Sequence, residues 1–158
     1  MKADFVVYDR NGQIVLIAQV KRKTGVSAEW AAKWRRNMLS HGVLPDAKYF
    51  LIALMDRFYL WKDAGNAPEP VAPTFEIDAG PVVKPYLEES GISSENISPQ
   101  SFELIIATWL NSVLHIKIPM NEENEIRKWI TDSGLSEAVS GGYLKHEVTL
   151  YLTTVINL

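Results

Sequence analysis

The sequence contains no cysteine. Disulfide cross-links and thiolate metal sites are thereby excluded, and a cysteine-free chain fits a reducing compartment such as the cytoplasm. Histidine is scarce: His41, His115 and His146 stand far apart, none forms a pair of zinc-ligand spacing, and all three read as structural or surface residues. No apolar run approaches the roughly 20 residues of a membrane-spanning helix. The N-terminus has neither the continuous apolar core nor the cleavage site of a secretory signal. Internal repeats and low-complexity tracts are missing too. So is an excess of positive charge: 16 Lys and Arg stand against 19 Asp and Glu, a net −3, which argues against a general nucleic-acid binder.

What is there is 158 residues, enough for one domain with a sizeable core, and an uneven distribution of charge. Residues 1–40 carry eight basic and three acidic side chains, or +5, while the other 118 carry eight basic and sixteen acidic, or −8. A phosphate backbone would find its place on the first segment. The competing reading is a helix and loop that simply solvate a surface.

That basic segment opens with a hairpin: Asp4–Tyr8, a turn at Asp9-Arg10-Asn11-Gly12, then Gln13–Lys21. Asn-Gly between apolar runs predicts a type I′ turn with positive φ at both residues. Opposed positions then sum to 23 and pair Tyr8 with Val15, Val6 with Ile17 and Asp4 with Gln19. Lys21 shares the face of Gln19, because side chains alternate along a strand. A four-residue loop preserves this parity, whereas a three-residue loop or a bulge breaks it. Ile14–Ala18 is apolar on both faces, the pattern of a covered central strand, with Gln19 and Lys21 where the core opens. An aspartate, a second oxygen ligand and a lysine at one strand end are the parts of a metal-dependent phosphodiesterase, with an amide where a carboxylate is expected. The plainer reading is a solvated strand end. Asp9, at the far end of the hairpin, is a poor candidate.

Further on, Ser27 caps a helix running to about Ser40. Trp30, Trp34 and Met38 form one apolar stripe with Ala31, expected in the core rather than as a base-stacking platform, with Lys33, Arg36, Asn37 and Ser40 opposite. Gly42 ends that helix and Pro45-Asp46 turns the chain. Lys48–Leu54 reads as a buried strand, Asp56-Arg57 as a tight turn, Phe58–Trp61 as a short strand and Ala64–Pro73 as a loop. Pro85 suits the first turn of a helix ending near Gly91, and Ser98-Pro99 opens another to about Leu114. Asn121 opens a helix that Gly134 ends, Ala138–Gly142 closes a short one, and Leu144–Ile156 is a last strand. Trp61, Trp109 and Trp129 are expected in the core. The order predicts one α/β domain over residues 1–158, a mixed central sheet flanked by helices. It has a core at 1–63, a mostly helical part at 75–142 and a terminal strand at 144–156.

Ala-Asp4-Phe-Val-Val-Tyr-Asp-Arg-Asn-Gly, then Ile-Ala-Gln19-Val-Lys21, a Ser-capped helix and a buried strand resemble the PD-(D/E)XK, or restriction-endonuclease-like, nuclease superfamily. The likeness is greatest, over Asp4 to Trp61, to its small bacterial branch. The resemblance implies a restriction-endonuclease-like fold and a catalytic set of Asp4, Gln19 and Lys21. Asp4, Gln19 and the Val20 carbonyl would hold Mg²⁺ or Mn²⁺, Glu29 would offer a migrated carboxylate, and Lys21 would act on water or phosphate. Lys23, Lys33 and Arg36 would contact a DNA backbone. A homodimer stays open, and no membrane is implied. Three departures stand out: Ala3 replaces the usual Pro, Gln19 replaces Glu or Asp, and only three residues precede Asp4 where the family has a leading helix, often with another acid. Three readings follow. They are a Mg²⁺-dependent DNA phosphodiesterase, a degraded nuclease fold kept as a protein- or nucleic-acid-binding module, and a plain α/β domain with an accidental motif.

Overall fold

A computed structural model describes residues 2–40, 47–66, 69–115 and 125–149. The expected helix end at Gly42, the turn at Pro45-Asp46, the helix start at Asn121 and positions 150–156 lie outside these residues. The elements are β1 (Lys2–Tyr8), β2 (Ile14–Val20), α1 (Ala28–Ser40), β3 (Tyr49–Ala53), β4 (Arg57–Lys62), β5 (Phe75–Asp78), α2 (Gly80–Ser90), α3 (Pro99–Leu114), α4 (Glu125–Asp132), α5 (Leu135–Val139) and β6 (Tyr143–Thr149). They build a mixed α/β structure around a six-stranded sheet in the order β5-β4-β3-β2-β1-β6. Among the described residues only β2 and β3 pair in parallel, and the other four pairings are antiparallel. Among the described residues no helix is long and apolar enough to cross a membrane.

The hairpin reaches the expected register by an unexpected route. Asp9 N–H donates to the Gln13 carbonyl and Gly12 N–H to the Asp9 carbonyl. Gly12 takes φ +79°, and Asn11 is not among the residues with positive φ. This is a three-residue loop with a left-handed glycine at its end, not a type I′ turn. Asp9 holds it by accepting from the N–H groups of Asn11 and Gln13. The loop pairs Tyr8 with Ile14 instead of Val15, and an irregularity between Val7 and Tyr8 then restores the sum of 23 at Val7–Leu16, Val6–Ile17 and Phe5–Ala18. Val15 and Leu16 both pack on one face as a result.

Strand alternation divides the core. Phe50, Ile52, Tyr59 and Trp61 face α1, with Ile17 and Val6. Tyr49, Leu51, Ala53, Phe58 and Leu60 face the layer of α2, α3 and α5. The α1 stripe is rotated from expectation. Its buried residues are Ala31, Ala32 and Arg35, whereas Trp34 and Met38 are half-buried and Trp30 is 37% exposed. Two alanines let the helix backbone approach the sheet, and the indoles lie at the margin. Arg35 occupies the space between aromatic rings, 5.3 Å from Phe50 and 5.5 Å from Trp61, and donates to the Gly65 carbonyl at 2.8 Å.

Trp61 and Trp109 are buried as expected, and Trp129 is half-buried. Residues 75–78 form a strand on β4 rather than opening the helical part. The helix assigned to Pro85 begins earlier, at Gly80-Pro81, so Pro85 lies inside it and removes one backbone donor. Gly91 ends it in the left-handed conformation, and Ser98 caps α3 through the Ser101 N–H.

Burial lowers the pKa of Arg35, whose Nε has no partner. We expect Arg35→Ala to cost roughly 2–3 kcal/mol in urea unfolding, because packing on two rings is lost. Arg35→Met should cost much less, because it refills the space without a buried charge. Equal losses in both variants would show that the guanidinium, not its volume, holds the site.

Candidate functional site

The β1–β2 ladder stops at Phe5–Ala18, while β1 continues along β6 to Lys2–Thr149. Beyond Phe5, side chains replace the ladder. Gln19 Oε1 accepts from the Asp4 N–H at 3.1 Å, and Gln19 Nε2 donates to the Lys2 carbonyl at 3.0 Å. Asp4 Oδ2 accepts from the Val20 N–H at 2.8 Å. The structure thus brings Asp4, Gln19 and Val20 together, as a hydrogen-bonded stitch. Gln19 is only 5% exposed, and both ends of its carboxamide are engaged by β1 backbone. A ligand to Mg²⁺ must offer an oxygen lone pair in near-octahedral geometry. In this arrangement the expected donor set fits that demand poorly, since the amide oxygen already serves the Asp4 N–H. Asp4 keeps one carboxylate oxygen outside the stitch.

The electrostatics around Asp4 are acidic. Partial burial raises its carboxyl above the ordinary 3.8, opposed by the Val20 N–H; the Glu147 charge raises it further and Lys2 lowers it. Glu103, on α3, is raised mainly by desolvation, then by Asp4 and Glu147. Lys2 and Glu147 form an exposed ion pair at 3.6 Å, a contact of little energetic weight. Glu103 escaped the sequence reading because nothing local marks it: its link to Asp4 spans some hundred residues. Among the described residues no group of three His, Asp or Glu side chains is arranged to hold a metal.

Lys21 goes elsewhere. Its N–H donates to the Ala53 carbonyl, extending the β2–β3 ladder, and its ammonium lies 5.0 Å from the Trp34 ring and 5.9 Å from that of Trp30. Lys23 approaches the same Trp30 at 5.5 Å. The two indoles are themselves in contact, with centroids 5.3 Å apart. Ser27 positions this pair by capping α1 through the Trp30 N–H. Lys33 is exposed and, three residues after Trp30, lies beside the indole pair rather than opposite it as expected. Half-buried Arg36 donates to Asn37 Oδ1. Glu29, in the first turn of α1, is exposed, and its charge acts on Tyr59. Of the described histidines, His115 follows α3 and His146 sits edge-on to Phe5.

The chain matches no family model, no curated protein and no solved structure.

The stitch and the raised carboxyl make separate predictions. Gln19→Ala should cost about 1–3 kcal/mol, because the Asp4 N–H and the Lys2 carbonyl both lose their partner. For Asp4 the folded pKa is raised, so its contribution to stability is most favourable below the ordinary value of 3.8 and is lost as pH rises through the folded value. Asp4→Asn keeps an acceptor for the Val20 N–H. It should therefore melt above the parent at neutral pH, with the advantage vanishing near pH 3.5 or so. A variant less stable than the parent at neutral pH would contradict this sign.

Proposed function

We propose that this is a nucleic-acid-binding domain of the restriction-endonuclease-like type, in which Asp4 and Gln19 have an architectural role. The observation that carries the reading is the exposed Trp30, flanked by the ammonium groups of Lys21 and Lys23 and in tilted contact with Trp34. Indole faces with interleaved cations suit a single strand: bases stack on the rings and phosphates take the charges. The restriction-endonuclease-like assignment is supported by the opening hairpin, the parallel β2–α1–β3 unit and the helices on both faces of a mixed sheet.

A second reading, Mg²⁺- or Mn²⁺-dependent hydrolysis of DNA, is favoured by one observation. Beyond the larger effect of burial, the Glu147 charge raises the pKa of Asp4, and the Asp4 and Glu147 charges raise that of Glu103, a repulsion that a divalent cation would relieve. It requires Gln19 to release β1 or the carboxylates alone to suffice.

Fluorescence anisotropy with a labelled single strand tests the first reading. Binding should weaken steeply with salt, and Trp30→Ala should cost about 1–3 kcal/mol of affinity. Lys21→Ala and Lys23→Ala should each flatten the salt dependence by about one phosphate equivalent. Failure to bind at low salt, or binding indifferent to Trp30→Ala, would refute it. Metal-dependent nicking by the parent protein, abolished by Lys21→Ala, would favour the second reading.

A further inference from the structure

A cavity of about 560 Å³ opens next to the lysine–tryptophan face. Its place follows from the parallel pairing: β2 and β3 end side by side, the Met55 N–H donates to the Lys23 carbonyl, and α2 closes the far wall. The volume is in the range of small-ligand sites, roughly 300–1,000 Å³.

The lining charges are not equivalent. Asp56 Oδ2 accepts from the Gly25 N–H at 3.0 Å, and Asp78 Oδ1 accepts from the Gly80 N–H at 2.9 Å. Three carboxylates thus line the cavity beside its three cations: Asp56 and Asp78 are tied to loop backbone, and Glu95 is exposed at the rim. Among the described residues no ion pair joins Arg22, Lys23 or Lys84 to a carboxylate, the one such contact being Lys2–Glu147. Arg22 and Lys84 are exposed and line the same cavity as the apolar side chains of Met55, Val83 and Leu87. Asp78 already occupies the first amide of α2, so an anion here must be held by side chains. Lys23 joins the cavity to Trp30, since it lines the one and stacks on the other.

We infer that this cavity binds a nucleotide through a terminal phosphomonoester, with Arg22 and Lys84 on the phosphate and Met55, Val83 and Leu87 against the sugar or base. A phosphomonoester carries about −1.5 to −2 charges near pH 7, more than a backbone diester, so two unpaired cations distinguish a strand end from its interior. The terminal phosphate of a strand and a free nucleotide offer the same chemistry. The strand version rests on the proposed function, and the free-nucleotide version does not.

The test uses the full chain and one single strand in three forms: 5′-phosphorylated, 3′-phosphorylated and with hydroxyls at both ends. Nucleoside 5′-monophosphate and the bare nucleoside are titrated in parallel. At least one phosphorylated form should bind about tenfold or more tightly than the hydroxyl form. Lys84→Ala and Arg22→Ala should each remove that preference while leaving the hydroxyl strand's affinity and the melting temperature unchanged. Equal affinity for all three strands overturns the inference and leaves the strand-binding face standing. A preference that survives both substitutions overturns it as well. If no strand binds, the mononucleotides decide: Lys84-dependent binding of the monophosphate over the nucleoside upholds the cavity, and its lack refutes it.

Discussion

The parallel pairing of β2 with β3 is the constraint from which the rest follows. Residues Leu16–Val20 run alongside Tyr49–Ala53, and the pairing continues past the strands through the Lys21 N–H on Ala53 and the Met55 N–H on Lys23. Parallel neighbours cannot be joined by a tight turn, so the chain must cross over, and α1 is that crossover. The helix covers the face bearing Ile17, Phe50, Ile52 and Trp61. Because it starts soon after β2 ends, its first turns stand over the sheet end from which Lys21 and Lys23 emerge. The contact of ammonium groups with Trp30 and Trp34 is thus a consequence of topology, and so is the cavity between the ends of β2 and β3 and the N-terminal part of α2.

The second constraint lies at the other margin of β2. Where the β1–β2 ladder stops, two side chains satisfy three backbone groups: the Asp4 N–H, the Lys2 carbonyl and the Val20 N–H. This job needs a side chain that both accepts and donates. A carboxamide does so and an ionised carboxylate cannot. The residue that departs from the nuclease pattern is therefore the one the local structure requires as it stands. A carboxylate in that place would face the Lys2 carbonyl with no proton between them, beside an aspartate already raised by burial.

Much of this was legible locally. Caps at Ser27 and Ser98 and the glycine stop at Gly91 mark helix ends through bonds made within a few residues. The hairpin register was legible for a subtler reason. A three-residue loop shifted the pairing by one and the irregularity after Val7 shifted it back, so Val6 still meets Ile17 although the turn type differs. Other features depend on distant partners. Arg35 looks like a solvated helix cation until Phe50 and Trp61 are set against it from the sheet. Trp30 looks like core until the two alanines take the inner face. The four residues of β5, between Pro73 and Pro81, gain their conformation from pairing with β4. The convergence of Asp4 with Gln19 was readable from register, whereas the direction of the Lys21 side chain depended on which indoles the crossover brought near.

The acidic and basic halves that the nuclease resemblance would join in one site are held on separate partners here. The acidic half, Asp4 with Glu103 and Glu147, draws on β1, α3 and β6; burial raises the pKa values of Asp4 and Glu103, and the Glu147 charge adds to both. The basic half, Lys21 with Lys23, rests on the indoles of α1. Under the proposed function, the first would repel an approaching polyanion and the second attract it, a difference that would orient a strand toward α1. The overall charge of −3 would work in the same sense, against adsorption away from the basic segment. Joining the halves into a reacting centre would take a cation to cancel the acidic field and a Lys21 released from Trp34. Without both, the role we propose for these residues is to hold a strand rather than to cut it.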